Sequence, residues 1–188
     1  MRLSLVLFLS TISFYSFGQL SNMDFTSYGL PDFPIDEETQ LVSYSDVVNV
    51  DGVAAADLYQ LGLDWINKYY KNSSSVMQVK DNQKFLLEGK HSFYVMKDIK
   101  GSQVKGELIK YQFNLMFRDG RYKYVITKIN VQKTAYYGIE NWLTDETLST
   151  EFDIQSYLEQ IHIFFTETYI PSMLEGIVPA EKKVEEQW

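Results

Sequence analysis

Cysteine is absent from this chain of 188 residues, and histidine occurs only twice. That scarcity excludes a disulfide scaffold, a thiol nucleophile, thiolate zinc sites and any histidine-rich metal centre. Positive charge is also in deficit, with 17 Lys and Arg against 25 Asp and Glu. A basic stripe able to neutralise phosphates is therefore missing, which makes nucleic acid a poor partner. No GxSxG elbow, phosphate-cradling glycine loop or HExxH zinc motif occurs. Beyond the first eighteen residues no apolar run approaches the length needed to span a bilayer.

What is present is enough for a packed core. The chain is 45% hydrophobic and 22% charged, which points to one globular domain with flanking segments. Aromatic residues reach 15%, a density that favours strands. Residues 1–18 run from Arg2 through the apolar stretch Leu3 to Ile12 to the small-residue steps Ser16 and Gly18. This pattern reads as a signal peptide cut before Gln19. The expected protein is exported, periplasmic or secreted, and no cysteine follows the cut to carry a lipid anchor. Residues 19–134 hold 14 acids and 14 bases, whereas residues 135–188 hold 11 acids and only Lys182 and Lys183. The whole charge excess thus sits in the last third, as a solvated helix face and tail or as a docking site for a cation or basic partner.

Residues 19–38 carry turn formers and no period, and read as an extended lead-in to a domain at 39–172. Leu41 to Val50 reads as a strand ending at Asp51-Gly52. From Ala54 to Tyr70 the positions Leu58, Leu61, Trp65, Ile66 and Tyr69 make one helical stripe. Gly62 interrupts it at a cost of about 1 kcal/mol relative to Ala, which a close approach to a sheet would explain. Val76 to Lys80 and Phe85 to Met96 follow as strands, the second placing His91 on its apolar side. Two long alternating strands then flank Asp119-Gly120, a loop that favours a type I′ hairpin. Asp153 is a plausible N-cap for a second helix with the stripe Tyr157, Leu158, Ile161, Phe164, Phe165 and Tyr169, which Pro171 stops or kinks. Residues 173–188 read as a mobile tail.

The hairpin sets a register. With Arg118 facing Arg121, Phe117 meets Tyr122, Leu115 meets Tyr124 and Phe113 meets Ile126, all on one apolar face. The opposite face pairs Met116 with Lys123, Asn114 with Val125, Gln112 with Thr127 and Lys110 with Ile129. The expected architecture is α+β, a two-layer sandwich in which an antiparallel sheet of about five strands carries two helices on one face, in the order β-α-β-β-β-β-α.

The segments FPIDEETQLVSYSDVVNVDG, DLYQLGLDWINKYY, LLEGKHSFYV and MFRDGRYKYVITKI resemble, in order and spacing, the family called domain of unknown function 4468, found in exported proteins of Bacteroidota. The similarity covers about Phe33 to Gln132. It implies a TATA-binding-protein-like (TBP-like) fold and carries no catalytic residues. Where such members often have a Ser or Thr cap before the first helix, this chain has Ala54, Ala55 and Ala56, so Asp51 or the Gly52 backbone should serve the first amides.

Three classes of function are weighed. The first is a non-enzymatic module that binds an envelope protein, peptide or glycan through the open face, with Lys110, Gln112, Asn114, Met116, Lys123, Val125, Thr127 and Ile129 as the contact residues and no cofactor or metal. The second is a hydrolase of envelope polymers, with His91 as general base or with the acids Glu140, Asp145, Glu146, Glu151 and Asp153, which could otherwise gather as calcium ligands. The third is a structural, self-associating domain. His162 reads as a structural residue at the edge of the second helix's stripe.

Overall fold

A computed structural model of the protein describes Leu20, residues 23–145, Thr147 and residues 151–179. The leader expected over residues 1–18 and the end of the chain lie outside the described residues.

Six strands form one antiparallel sheet: β1 (Tyr44–Asn49), β2 (Met77–Asp81), β3 (Leu86–Ile99), β4 (Ser102–Arg118), β5 (Arg121–Val131) and the short β6 (Tyr137–Gly138). They are ordered β1-β5-β4-β3-β2, with β6 paired to the end of β5 on the same edge as β1. Helix α1 (Ala55–Tyr69) and a C-terminal helix, Phe152–Gly176, cover one face. The α+β sandwich expected from periodicity is the fold. Its core is the odd-numbered side of β4, with Ile109, Tyr111, Phe113, Leu115 and Phe117 all buried. Phe117 faces Tyr122, Leu115 faces Tyr124 and Phe113 faces Ile126, the register that the Asp119-Gly120 turn dictates.

The close approach expected at Gly62 is present: a Cβ there would stand 2.5 Å from Cζ of Phe117 and 3.3 Å from Cδ1 of Leu87, both side chains of the sheet. Helix and sheet touch through the missing methyl, which is why a residue of low helix propensity sits mid-helix.

Several expectations are corrected. The type I′ geometry needs positive φ at both loop residues. At Asp119-Gly120 only Gly120 has it (φ 72), whereas Lys100 (φ 54) and Gly101 (φ 83) between β3 and β4 both do. The lead-in is part of the core, because Leu20, Phe25, Leu30 and Phe33 are buried, and Ile35 bridges Val42 ahead of β1. The domain also runs past 172: Met173 and Ile177 are buried, so residues 173–177 are not a tail. Pro171 does not end the C-terminal helix. The helix runs as α over Phe152–Ile163, takes a π-form over Phe164–Tyr169 and resumes as α over Ile170–Gly176 with Pro171 in its first turn. The wider turn resets the hydrogen-bond register, so that proline stands where its missing N–H is tolerated. Glu151, not Asp153, holds the N-cap position of that helix.

The amide of Ala55 is served from a distance. Asp119 Oδ1 accepts the Ala55 N–H at 2.8 Å, while Gly120 N–H donates to Val53 O and Val50 N–H donates to Gly120 O. The hairpin tip therefore caps α1 in place of Asp51 or Gly52. Asp119→Ala should destabilise the fold by about 1 kcal/mol, read as a lower urea midpoint at unchanged slope, and Asp119→Asn should recover most of it. Equal stability of the Ala variant and the parent would refute the cap.

Candidate functional site

The face of the sheet opposite the helices is built by strand alternation alone. Each outward residue on one strand finds an outward partner on the next, so the face is a set of cross-strand rows. The row nearest the hairpin tip is Asn49, Arg121 and Arg118. Next come Val47, Lys123, Met116 and Leu86. The third row is Ser45, Val125, Asn114 and Glu88, and the fourth is Thr127, Gln112 and Lys90. Of the contact residues read from sequence, Lys110, Met116 and Lys123 are exposed, and Gln112, Asn114, Val125 and Thr127 are half-buried. The register brings all seven together on this face.

Ile129 does not join them. Between Gln112↔Thr127 and Lys110↔Asn130 the ladder shifts by one residue, so Lys128 and Ile129 together oppose Tyr111. Lys128 takes the left-handed conformation (φ 52) that such a bulge uses, and beyond it every side chain of β5 exchanges faces. Ile129 and Val131 turn into the core, fully buried, and Asn130 takes the outward place beside Lys110. Asn130 Nδ2 donates to the Lys128 carbonyl at 2.6 Å and braces the bulge.

Residues 137–144 leave this face uncovered. Tyr137–Gly138 extends the sheet at the β1 edge, and the helical turn Glu140–Thr144 drops to the helix side, where Trp142 packs against Tyr157 of the C-terminal helix with ring centroids 6.1 Å apart. Glu140 is buried there, and its Oε1 accepts the Val42 N–H at 2.7 Å. Burial holds its carboxyl above the usual glutamate range.

The residues weighed for catalysis are dispersed. His91 is exposed at the rim of the helix side, its ring edge-on to Tyr70 at 4.8 Å and to Tyr111 at 6.2 Å, and burial pushes its pKa down. The β3–β4 ladder runs without a shift from Gly89↔Phe113 to His91↔Tyr111, so His91 stays on the helix side. Gly89 makes room, because a Cβ there would run into the Phe113 ring. His162 is half-buried, with Nδ1 at 3.3 Å from the Tyr44 hydroxyl and its ring edge-on to Phe33. Among the acids, Glu140 is tied to Val42, Asp153 pairs with Lys97, and Asp145 accepts the Thr147 amide. Glu146 lies outside the described residues. No group of three or more His, Asp or Glu able to hold a metal occurs among the described residues.

Sequence reasoning missed part of the open face. Val47, Met116, Arg118, Arg121, Tyr122 and Lys123 line a cavity of about 330 Å³ at its hairpin end. Arg118 and Arg121 were legible as the closing pair of the hairpin, and Val47 needed only the pairing of β1 with β5, which no local signal supplies.

Residues 44–132 match the family model described as Domain of unknown function (DUF4468) with TBP-like fold. A TBP-like protein of Parabacteroides distasonis superposes with a TM-score of 0.59 at 17% identity, covering 77% of this chain and 96% of its own. A DUF4468 family protein of Bacteroides ovatus superposes with a TM-score of 0.63 at 16% identity, covering 86% of this chain and 99% of its own. No curated protein matches the chain.

Proposed function

We propose, from the premise that this chain belongs through residues 44–132 to the DUF4468 family with its TBP-like fold, that it is an exported, non-enzymatic module that binds a macromolecule of the cell envelope through the open sheet face. The reading is carried by one asymmetry. The helices and the described lead-in residues pack as one core, while the other face keeps rows of mixed polar and apolar side chains that no described element covers. Met116 and Val47 remain exposed on it beside Lys110, Lys123, Asn114 and Gln112, a mixture suited to a partly polar interface. Export rests on the leader read from residues 1–18. The dispersal of His91 and the acids weighs against the hydrolase reading.

The test is position-specific cross-linking in intact cells. A photoreactive residue at Gln112 should yield a discrete adduct, one at Asp57 on the exposed side of α1 should not, and Lys110→Glu with Lys123→Glu should remove the adduct. Equal yield from both positions, or an adduct indifferent to the two charge reversals, would eliminate the open face as the binding surface.

A further inference from the structure

We infer that the hairpin end of the open face anchors an acidic, extended peptide segment that also presents an apolar side chain. This rests on the open-face reading and narrows it to one end and one chemistry.

Arg118 and Arg121 stand directly opposite each other as the last pair of the β4–β5 ladder, and Lys123 follows beside Met116. Like charges placed opposite each other across an antiparallel pair repel. Nothing described relieves them: the ion pairs among the described residues are Lys84 with Asp81 and Lys97 with Asp153. The one carboxylate of the turn, Asp119, is turned toward α1 and spends an oxygen on the Ala55 amide. Arg118, Arg121 and Lys123 therefore line one cavity of about 330 Å³, where Asp36 acts on Lys123 and, among the described residues, neither arginine has an ion pair. The cavity floor is apolar, with Val47 46% and Met116 36% exposed.

Those two properties together select the ligand. A guanidinium pair favours carboxylates, which each Arg can hold through two parallel N–H donors. The floor between them accepts one aliphatic side chain. Beyond the cavity the rows continue with Asn114, Val125, Gln112 and Thr127, amide and hydroxyl groups that a peptide backbone can follow. Glu88 in the third row interrupts the cations between Lys123 and Lys90, and a DNA duplex and anionic vesicles are the competing polyanions that the experiment separates from a peptide.

The experiment is fluorescence anisotropy of the intact chain with a labelled, glutamate-rich peptide that carries one central leucine. Saturable binding that weakens with salt is expected, falling at least tenfold in Arg118→Glu/Arg121→Glu and clearly in Met116→Asp. Lys68→Glu, on α1, should leave binding unchanged. The glutamine version of the peptide should not bind. Near-UV circular dichroism verifies that each variant is folded, as expected for exposed positions. Absence of saturable binding, or binding that survives the arginine reversals, overturns the proposal. Equally tight arginine-dependent binding of a DNA duplex or of anionic vesicles overturns it in favour of a general polyanion site. Arginine-dependent self-association in sedimentation overturns it in favour of a second copy. If the peptide fails while the Gln112 cross-link keeps its position dependence, the acidic peptide falls and the open face stands. If both fail, the open-face reading falls with it.

Discussion

Gly89→Ala should cost about 2–3 kcal/mol, a large penalty for one added methyl on a strand. The residue lies opposite Phe113 across β3 and β4, and the Phe113 ring lies over its Cα, with Cε1 only 2.5 Å from where a Cβ would stand. The ring has nowhere to retreat. It is buried and stacked on Tyr70 at a 9° interplanar angle, with Tyr169 behind it at 6.4 Å. The added methyl must displace a ring locked in the centre of the core, although alanine is otherwise better than glycine inside a strand. Urea denaturation of Gly89→Ala, Phe113→Leu and the double variant tests this. The smaller side chain should accept the methyl, so the double variant should be more stable than the sum of the single effects by about 1–2 kcal/mol. Strict additivity would show that the two residues do not share the space.

The same residues show which parts of this fold are legible beforehand. A period of two over β4 and β5, punctuated by Asp119-Gly120, places Phe113, Leu115, Tyr122 and Tyr124 inward because a strand allows no other phase once the turn is placed. The reading fails at Lys128, where a lysine adopts a conformation usually reserved for Gly or Asn, and nothing local announces it. One undetected bulge moves Ile129 from the open face to the core. The cap on α1 comes from Asp119, 64 positions away, so local spacing could not find it. Leu20, Phe25, Leu30 and Phe33 are buried by an irregular segment, which leaves no periodic trace. Five of the six residues that line the hairpin-end cavity were legible within the hairpin pairs, Arg118 and Arg121 among them. Val47 became their neighbour only through the pairing of β1 with β5.

Raising the pH through the tyrosine range should unfold this protein steeply, and Tyr70→Phe should change both its stability and the steepness. The hydroxyls of Tyr70, Tyr111 and Tyr169 meet inside the core: Tyr70 is 3.2 Å from Tyr111 and donates to Tyr169 at 2.9 Å. Burial pushes the pKa of all three phenols up, because a phenolate would lose its hydration. An acid whose folded pKa lies above its unfolded one holds its proton more tightly in the native state. Its contribution is fully present below the unfolded value of about 10 and is lost as pH rises beyond it. Each such hydroxyl removes about 1.4 kcal/mol per pH unit above that point. At neutral pH, Tyr70→Phe deletes the hydroxyl both others use and should cost about 2 kcal/mol, against about 1 kcal/mol for Tyr111→Phe or Tyr169→Phe. Above the tyrosine range the Tyr70 variant should lose stability more slowly than the parent, by the slope of one group. Urea midpoints measured from pH 7 to 11 separate the two effects. A parent stability flat across that range, or a Tyr70 variant no weaker than the other two at neutral pH, would remove Tyr70 as the centre of the cluster.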